Sequence, residues 1–241
     1  VKRLSGLGFG IFVLASAVTS RARACGVSAT GVASCSLAEH REATRSRFSV
    51  GVTGTYTDTA LRFDGSLRAA QTRAAVLGVL AYLPTASLAL EAGVGASFAG
   101  ALTLPDGKHE FLPGPTASLG AAWRVLDAAN YFALLTAVAS FTSNPTELSG
   151  APRVSYTAFD LRLGGEFGLN LVQVLHPYVL ARAFGGPVYW QYQGKDVTGT
   201  DIHHYQLGLG LAVGLPFGLG AFVEGVPLGE RALSGGVSLA F

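Results

Sequence analysis

From residue 47 onward the chain alternates apolar residues with small or polar ones, stretch after stretch. At its carboxyl end Leu233, Gly235, Val237, Leu239 and Phe241 fall on one face, and Ser234, Gly236, Ser238 and Ala240 on the other. A period of two is that of a strand whose two faces meet different surroundings. The same pattern runs through residues 85–99, where Leu88, Leu90, Ala92, Val94, Ala96 and Phe98 oppose Ser87, Ala89, Glu91, Gly93, Gly95 and Ser97. It returns at 116–127, 155–170 and 203–215, and nearly as cleanly at 47–59 and 217–224. Three further segments, 72–83, 130–142 and 176–184, are apolar on both faces in places, which leaves their parity open.

The second face decides the solvent. The exposed face of an antiparallel sheet in water carries charged residues, whereas here it carries Gly, Ser and Ala. Charged residues make up only 13% of the chain, against about 25% in ordinary soluble domains. The apolar face therefore meets lipid and the small face an enclosed lumen. After residue 24 no apolar run reaches the ~20 residues of a membrane helix, the longest lying near 74–83 and 207–217. Because every backbone group in lipid must be paired within the protein, a closed barrel is the membrane solution left to such a chain.

The connections agree. Short joins at 84–85, 128–129, 171–175 and 216 alternate with longer segments at 60–71, 100–115, 143–154 and 185–202, with a shorter one at 225–230. Short turns on one side and longer loops on the other are expected of a membrane barrel. The expected fold is all-β, a closed antiparallel transmembrane β-barrel of ten strands, with eight or twelve as alternatives. Outward aromatics gather at strand ends, Phe48, Tyr131, Phe167, Phe217 and Phe241 at one level and Tyr56, Phe98, Phe141 and Tyr205 at the other. Two such girdles mark the two interfaces of a bilayer.

The amino-terminal residues read as an address. Lys2 and Arg3 precede an apolar run from Leu4 to Val18, followed by small residues at Ala22 and Ala24. This is the pattern of a secretory signal peptide over residues 1–24. Residues 25–46 then form a leader in which Cys25 and Cys35, nine residues apart, are expected to form a disulfide in an exported chain. Without Lys2, Arg3, Arg21 and Arg23 the chain keeps 13 basic against 15 acidic residues, which offers no electrostatic footprint for nucleic acid.

The terminal strand ending on Phe241 resembles the closing strand of bacterial outer-membrane β-barrels, in which a terminal Phe is an assembly signal. That resemblance implies the bacterial outer membrane as location, and the alternation of short and long connections then puts both termini on the periplasmic side. The resemblance also implies the surrounding lipid and the barrel assembly machinery as partners. Oligomeric state is not written in the sequence.

Seven charged residues carry the inward parity: Glu91, Arg124, Asp160, Arg162, Glu166, Arg182 and Glu224. Four acids and three bases on neighbouring strands read either as an ion-pair ladder that fills a narrow lumen or as a charged constriction in a solute pore. In the ladder reading Glu91 pairs with Arg124. The function classes that follow are a small structural barrel or a narrow passive channel. A surface enzyme or a loop-mediated receptor or adhesin is the alternative. For the enzyme, Asp201-Ile202-His203 is similar to the Asp-x-His of the omptin proteases, which are also ten-stranded barrels. Asp106 would be its distant acidic partner, and a carboxylate-oriented imidazole could activate a water. Asp106 and Glu110 do not reproduce that family's Asp-x-Asp spacing. Tyr189, Trp190 and Tyr192 crowd one loop and read either as a stacking platform or as the tall end of two strands folding over the barrel mouth. No metal cluster, phosphate loop or dinucleotide fingerprint occurs, and no cofactor is expected.

Overall fold

The computed structural model describes residues 47–64, 66–148, 152–171 and 174–241. The expected signal peptide, the leader and the Cys25–Cys35 disulfide lie outside the described residues. Thirteen strands follow one another: β1 (Phe48–Phe63), β2 (Arg68–Thr85), β3 (Leu88–Leu104), β4 (Gly107–Phe111), β5 (Gly114–Asp127), β6 (Tyr131–Glu147), β7 (Val154–Leu169), β8 (Leu175–Gly185), β9 (Val188–Tyr192), β10 (Lys195–Asp201), β11 (Tyr205–Gly214), β12 (Leu219–Gly229) and β13 (Arg231–Ala240).

Ten of them form the membrane ring, in the order β1-β2-β3-β5-β6-β7-β8-β11-β12-β13. The ring closes where β13 pairs antiparallel with β1, from Ser49↔Ala240 to Asp58↔Arg231. Closure leaves no edge to satisfy in lipid. Each of the ten corresponds to one of the ten candidate strand segments of the sequence, seven of which alternate and three of which are ambiguous. The three ambiguous segments resolve as β2, β6 and β8, with Ala75, Leu77 and Val79, then Phe132, Leu134 and Val138, then Tyr178, Leu180 and Arg182 buried inside.

Strand length separates two tiers. β8, β11, β12 and β13 have 11, 10, 11 and 10 residues, close to the ~9–11 that a tilted strand needs to cross a bilayer. β1, β2, β3, β6 and β7 have 16, 18, 17, 17 and 16. Their excess all lies on the side away from Phe48 and Phe241. There β4 takes a place between β3 and β6, above β5. The β9–β10 hairpin joins β7 to β1, above the tops of β11, β12 and β13. The ring of ten thus narrows to a crown of eight, β1-β2-β3-β4-β6-β7-β9-β10.

This corrects the reading of 60–71, 100–115, 143–154 and 185–202 as loops, since most of their residues are strand. The reason is a core. Leu61, Phe63, Ala69, Leu102, Leu104, Phe111, Tyr156, Val188 and Trp190 are buried together inside the crown, so these segments bury an apolar face of their own. The β9–β10 turn is two residues long, and Gln193 (φ 50) and Gly194 (φ 76) both adopt the positive φ that such a hairpin turn demands.

The outside is greasy where lipid is expected. Val94, Leu119, Leu209 and Leu233 are each at least 60% exposed. At the lower level Phe48 stacks on Tyr82 with centroids 5.0 Å apart, and Tyr131 lies 6.2 Å from Phe167. At the upper level Phe141 and Phe159 are 5.1 Å apart, and Tyr189 follows at 6.4 Å from Phe159.

Candidate functional site

The interior is the part of this molecule where polar chemistry is concentrated, and it is layered along the barrel axis. All seven charged residues singled out from parity point inward.

In the middle layer Arg182 of β8 is held between two carboxylates. Its Nη1 donates to Glu224 Oε1 at 2.8 Å, and its Nη2 donates to Glu224 Oε2 at 3.0 Å and Glu166 Oε1 at 2.9 Å. The Tyr178 hydroxyl donates to Glu224 Oε2 at 3.2 Å. The arginine is 2% exposed and both glutamates 0%, so the group is a dry, bidentate ion triad. Small inward residues create its space. A Cβ on Gly164 would lie 2.4 Å from Arg182 Cγ, and one on Gly210 would lie 2.2 Å from the Tyr178 ring. These inward glycines make room for a large side chain from the neighbouring strand.

One level up, towards the crown, Arg162 of β7 donates from Nε to Asp160 Oδ2 and lies 3.0 Å from Glu230 Oε2 through Nη2. The Gln206 amide donates to Glu230 at 3.1 Å, and the guanidinium sits 5.0 Å above the Phe184 ring. Asp201 accepts from Thr59 Oγ1 at 3.0 Å. Asp201 pairs with Leu61, five residues beyond Tyr56 of the upper girdle, and so stands outside the lipid band. Burial, with Glu230 and Asp160 close by, pushes its carboxyl up to about 6.

Below the triad the expected Glu91–Arg124 pair does not form. Glu91 is opposite Gly120 in the β3–β5 register, four residues short of Arg124. Arg124 Nη1 instead lies 3.3 Å from Asp127 Oδ2. Neighbouring strands were the right condition and axial level was the missing one. Glu91 is 5% exposed, and neither of its carboxylate oxygens has a hydrogen-bond partner among the described residues. Around it Leu83, Ala89, Ala122, Phe132, Leu134, Leu180 and Phe222 belong to one apolar cluster that fills the lower lumen.

The crown closes the other end. Trp190 Nε1 donates to Thr146 Oγ1 at 3.0 Å and Tyr156 to Gln71 Oε1 at 3.0 Å. His109 packs edge-on against Trp190 at 5.0 Å, with Asp106 3.5 Å from its Nε2. The three residues of the hydrolytic alternative are dispersed. Asp106 faces His109 on the β3–β4 hairpin, Asp201 is tied to Thr59, and His203 is exposed beside Tyr205 at 6.2 Å. No hydrogen bond or ion pair joins any two of them among the described residues.

Sequence reasoning did not single out Glu230, Gln206, Tyr178 or Arg73. For the first, the signal was available, since Glu230 shares the inward parity of Ser234 and Ser238 across a short turn. For Arg73 it was not, since segment 72–83 is apolar on both faces in places and leaves its parity open.

No family model matches the chain, and no curated protein matches it. Among solved structures, the outer-membrane protease OmpT of Escherichia coli superposes with a TM-score of 0.51 at 9% identity, covering 83% of this chain and 99% of that one. The fold is that of a transmembrane β-barrel. Weaker superpositions are with the β-domain of the Bordetella autotransporter BrkA, at TM-score 0.46 and 16% identity over 82% of this chain and 100% of that one. The amino-terminal barrel of Pseudomonas aeruginosa OprF gives 0.36 and 12% identity, again over 82% and 100%. At 9% identity the OmpT likeness concerns the fold alone, which agrees with the dispersal of Asp106, Asp201 and His203.

Proposed function

We propose that this protein is a small structural barrel of the bacterial outer membrane whose lumen is filled, so that it closes its own bore. The observation that carries this reading is Arg182, clasped dry between Glu166 and Glu224 across the lumen. Apolar side chains occupy the barrel on both sides of it. A water-filled pore screens its charges and leaves them exposed, whereas these are almost fully buried. The lipid-facing apolar surface and its two aromatic levels support membrane residence. The alternation of short and long connections supports periplasmic termini and an outward-facing crown. Outer-membrane lipid and the assembly machinery that reads the Phe241 strand are the partners this reading requires.

A narrow passive channel is the second reading. It is favoured by a chamber of about 60 Å³ between the triad and the crown, lined by Arg73, Arg162 and several hydroxyls. For conduction the Trp190 layer above and the Phe132 layer below would both have to part. Planar bilayers separate the two readings. Purified protein should give no unitary conductance steps at any voltage the bilayer tolerates, and reproducible steps from the wild type would establish the channel instead.

A further inference from the structure

The chamber above the triad has an unusual wall. It is lined by Arg73 and Arg162 and by the hydroxyl residues Thr55, Thr57, Ser118 and Ser140, with no carboxylate among its lining residues. Arg162 is already matched by Asp160 and Glu230. Arg73 is not matched. It faces inward from β2, opposite Thr57 in the β1–β2 register, and has no hydrogen-bond or ion-pair partner among the described residues. Its guanidinium offers five donors. Among the described residues none of these four lining hydroxyl groups bonds a carboxylate, so each can turn a donor into the space.

Arg73 is half-buried, and a partly desolvated cation without a partner attracts a counter-charge more strongly than one in bulk water. About 60 Å³ holds a few waters at ~10–15 Å³ each, or one small ion with part of its hydration. From this we infer that the chamber binds a single small inorganic anion of the halide class as the internal counter-ion of Arg73. The chamber's donors replace part of the ion's hydration shell, and its size excludes bulky organic anions such as gluconate. The site goes beyond the closed-barrel reading and does not depend on conductance, since a trapped structural ion and a transiting one would both occupy it.

Bromide is the probe. Crystals of the detergent-solubilised barrel grown in sodium bromide should show an anomalous peak in the chamber, within contact distance of the Arg73 guanidinium. In solution the thermal midpoint, read from the shift between folded and unfolded gel mobility, should rise with bromide or chloride. It should not rise with sodium gluconate at equal ionic strength. Arg73→Gln should lose that anion-specific difference. If Arg73→Gln fails to fold, Ser140→Leu fills the chamber while keeping Arg73, and should also lose it. Equal responses of the wild type to halide and gluconate, or a chamber with no anomalous signal, would overturn the inference. Conductance is read separately in bilayers, so the failure of one proposal is distinct from the failure of the other.

Discussion

The residues that most reward mutation are those whose partners differ in kind. Arg182 has two buried carboxylates, and removing it leaves Glu166 and Glu224 facing each other in a dry lumen. Arg182→Ala should therefore cost about 3–5 kcal/mol, read as a fall in the denaturant midpoint of gel mobility. Glu91 is the reverse case. It has no partner to abandon among the described residues, so Glu91→Gln should cost less than about 1 kcal/mol, the range of weak or absent pairs. A loss as large as that of Arg182→Ala would show that Glu91 is paired. Asp201 adds a pH signature. Its carboxyl is raised from an ordinary 3.8 to about 6, so the folded protein holds that proton more tightly than the unfolded chain. Its contribution to stability is fully present below about pH 4 and is lost as pH rises through 6. Asp201→Asn should flatten the decline between those values, and an unchanged pH profile in the variant would refute the assignment. Which side of the barrel a charge faces was legible on the strictly alternating strands, because parity fixes it there, but not for Arg182, whose segment 176–184 is apolar on both faces in places. Which charges meet was not, because that depends on strand stagger and on glycine gaps such as Gly164. Two residues on adjacent strands can share a face and still lie four positions apart, as Glu91 and Arg124 do.

At the scale of elements, the ring strands were legible because lipid imposes a simple rule on one face. The crown was hidden for a physical reason. Above the membrane its strands are short, their outer face is wet, and their inner face is a mixed apolar core. Segments such as 185–202 thus look like ordinary polar loops with stray aromatics. The strand lengths expose the difference, since β8 with 11 residues spans and stops while β7 with 16 carries on into the crown. The crown should consequently be a separable unit of stability. Trp190 is 3% exposed, packs against Phe63 and His109, and donates to Thr146. Trp190→Ala should cost the crown about 3–5 kcal/mol through the cavity it leaves, while the ring of ten keeps its pairing. The expected outcome is cleavage by added protease within 185–202 of the variant in intact cells, with gel mobility of the folded ring unchanged. Simultaneous loss of both would mean that crown and ring unfold as one.

For the whole molecule, closure of the ring is the event on which everything else depends, and it is made by the last strand on the first. Ten register pairs join β13 to β1, from Ser49↔Ala240 upward, and beyond them the Phe241 amide donates to the Phe48 carbonyl at 3.0 Å. The Phe241 ring itself is 61% exposed at the lower girdle, so its side chain adds little to the packed interior. Its value to the folded barrel is about one backbone hydrogen bond, ~0.5–1.5 kcal/mol, against a seam that keeps its ten register pairs. Its proposed value to the cell is different, since assembly machinery would read the residue before the ring exists. Deleting Phe241 should separate the two roles. Protein refolded in detergent should still resist SDS at room temperature and change mobility only on boiling, with a midpoint close to that of the full chain. In cells the truncated chain should fall several-fold in the outer-membrane fraction. Normal outer-membrane levels with a normal refolded barrel would remove the assembly role. Failure to refold in detergent would instead make Phe241 part of the seam.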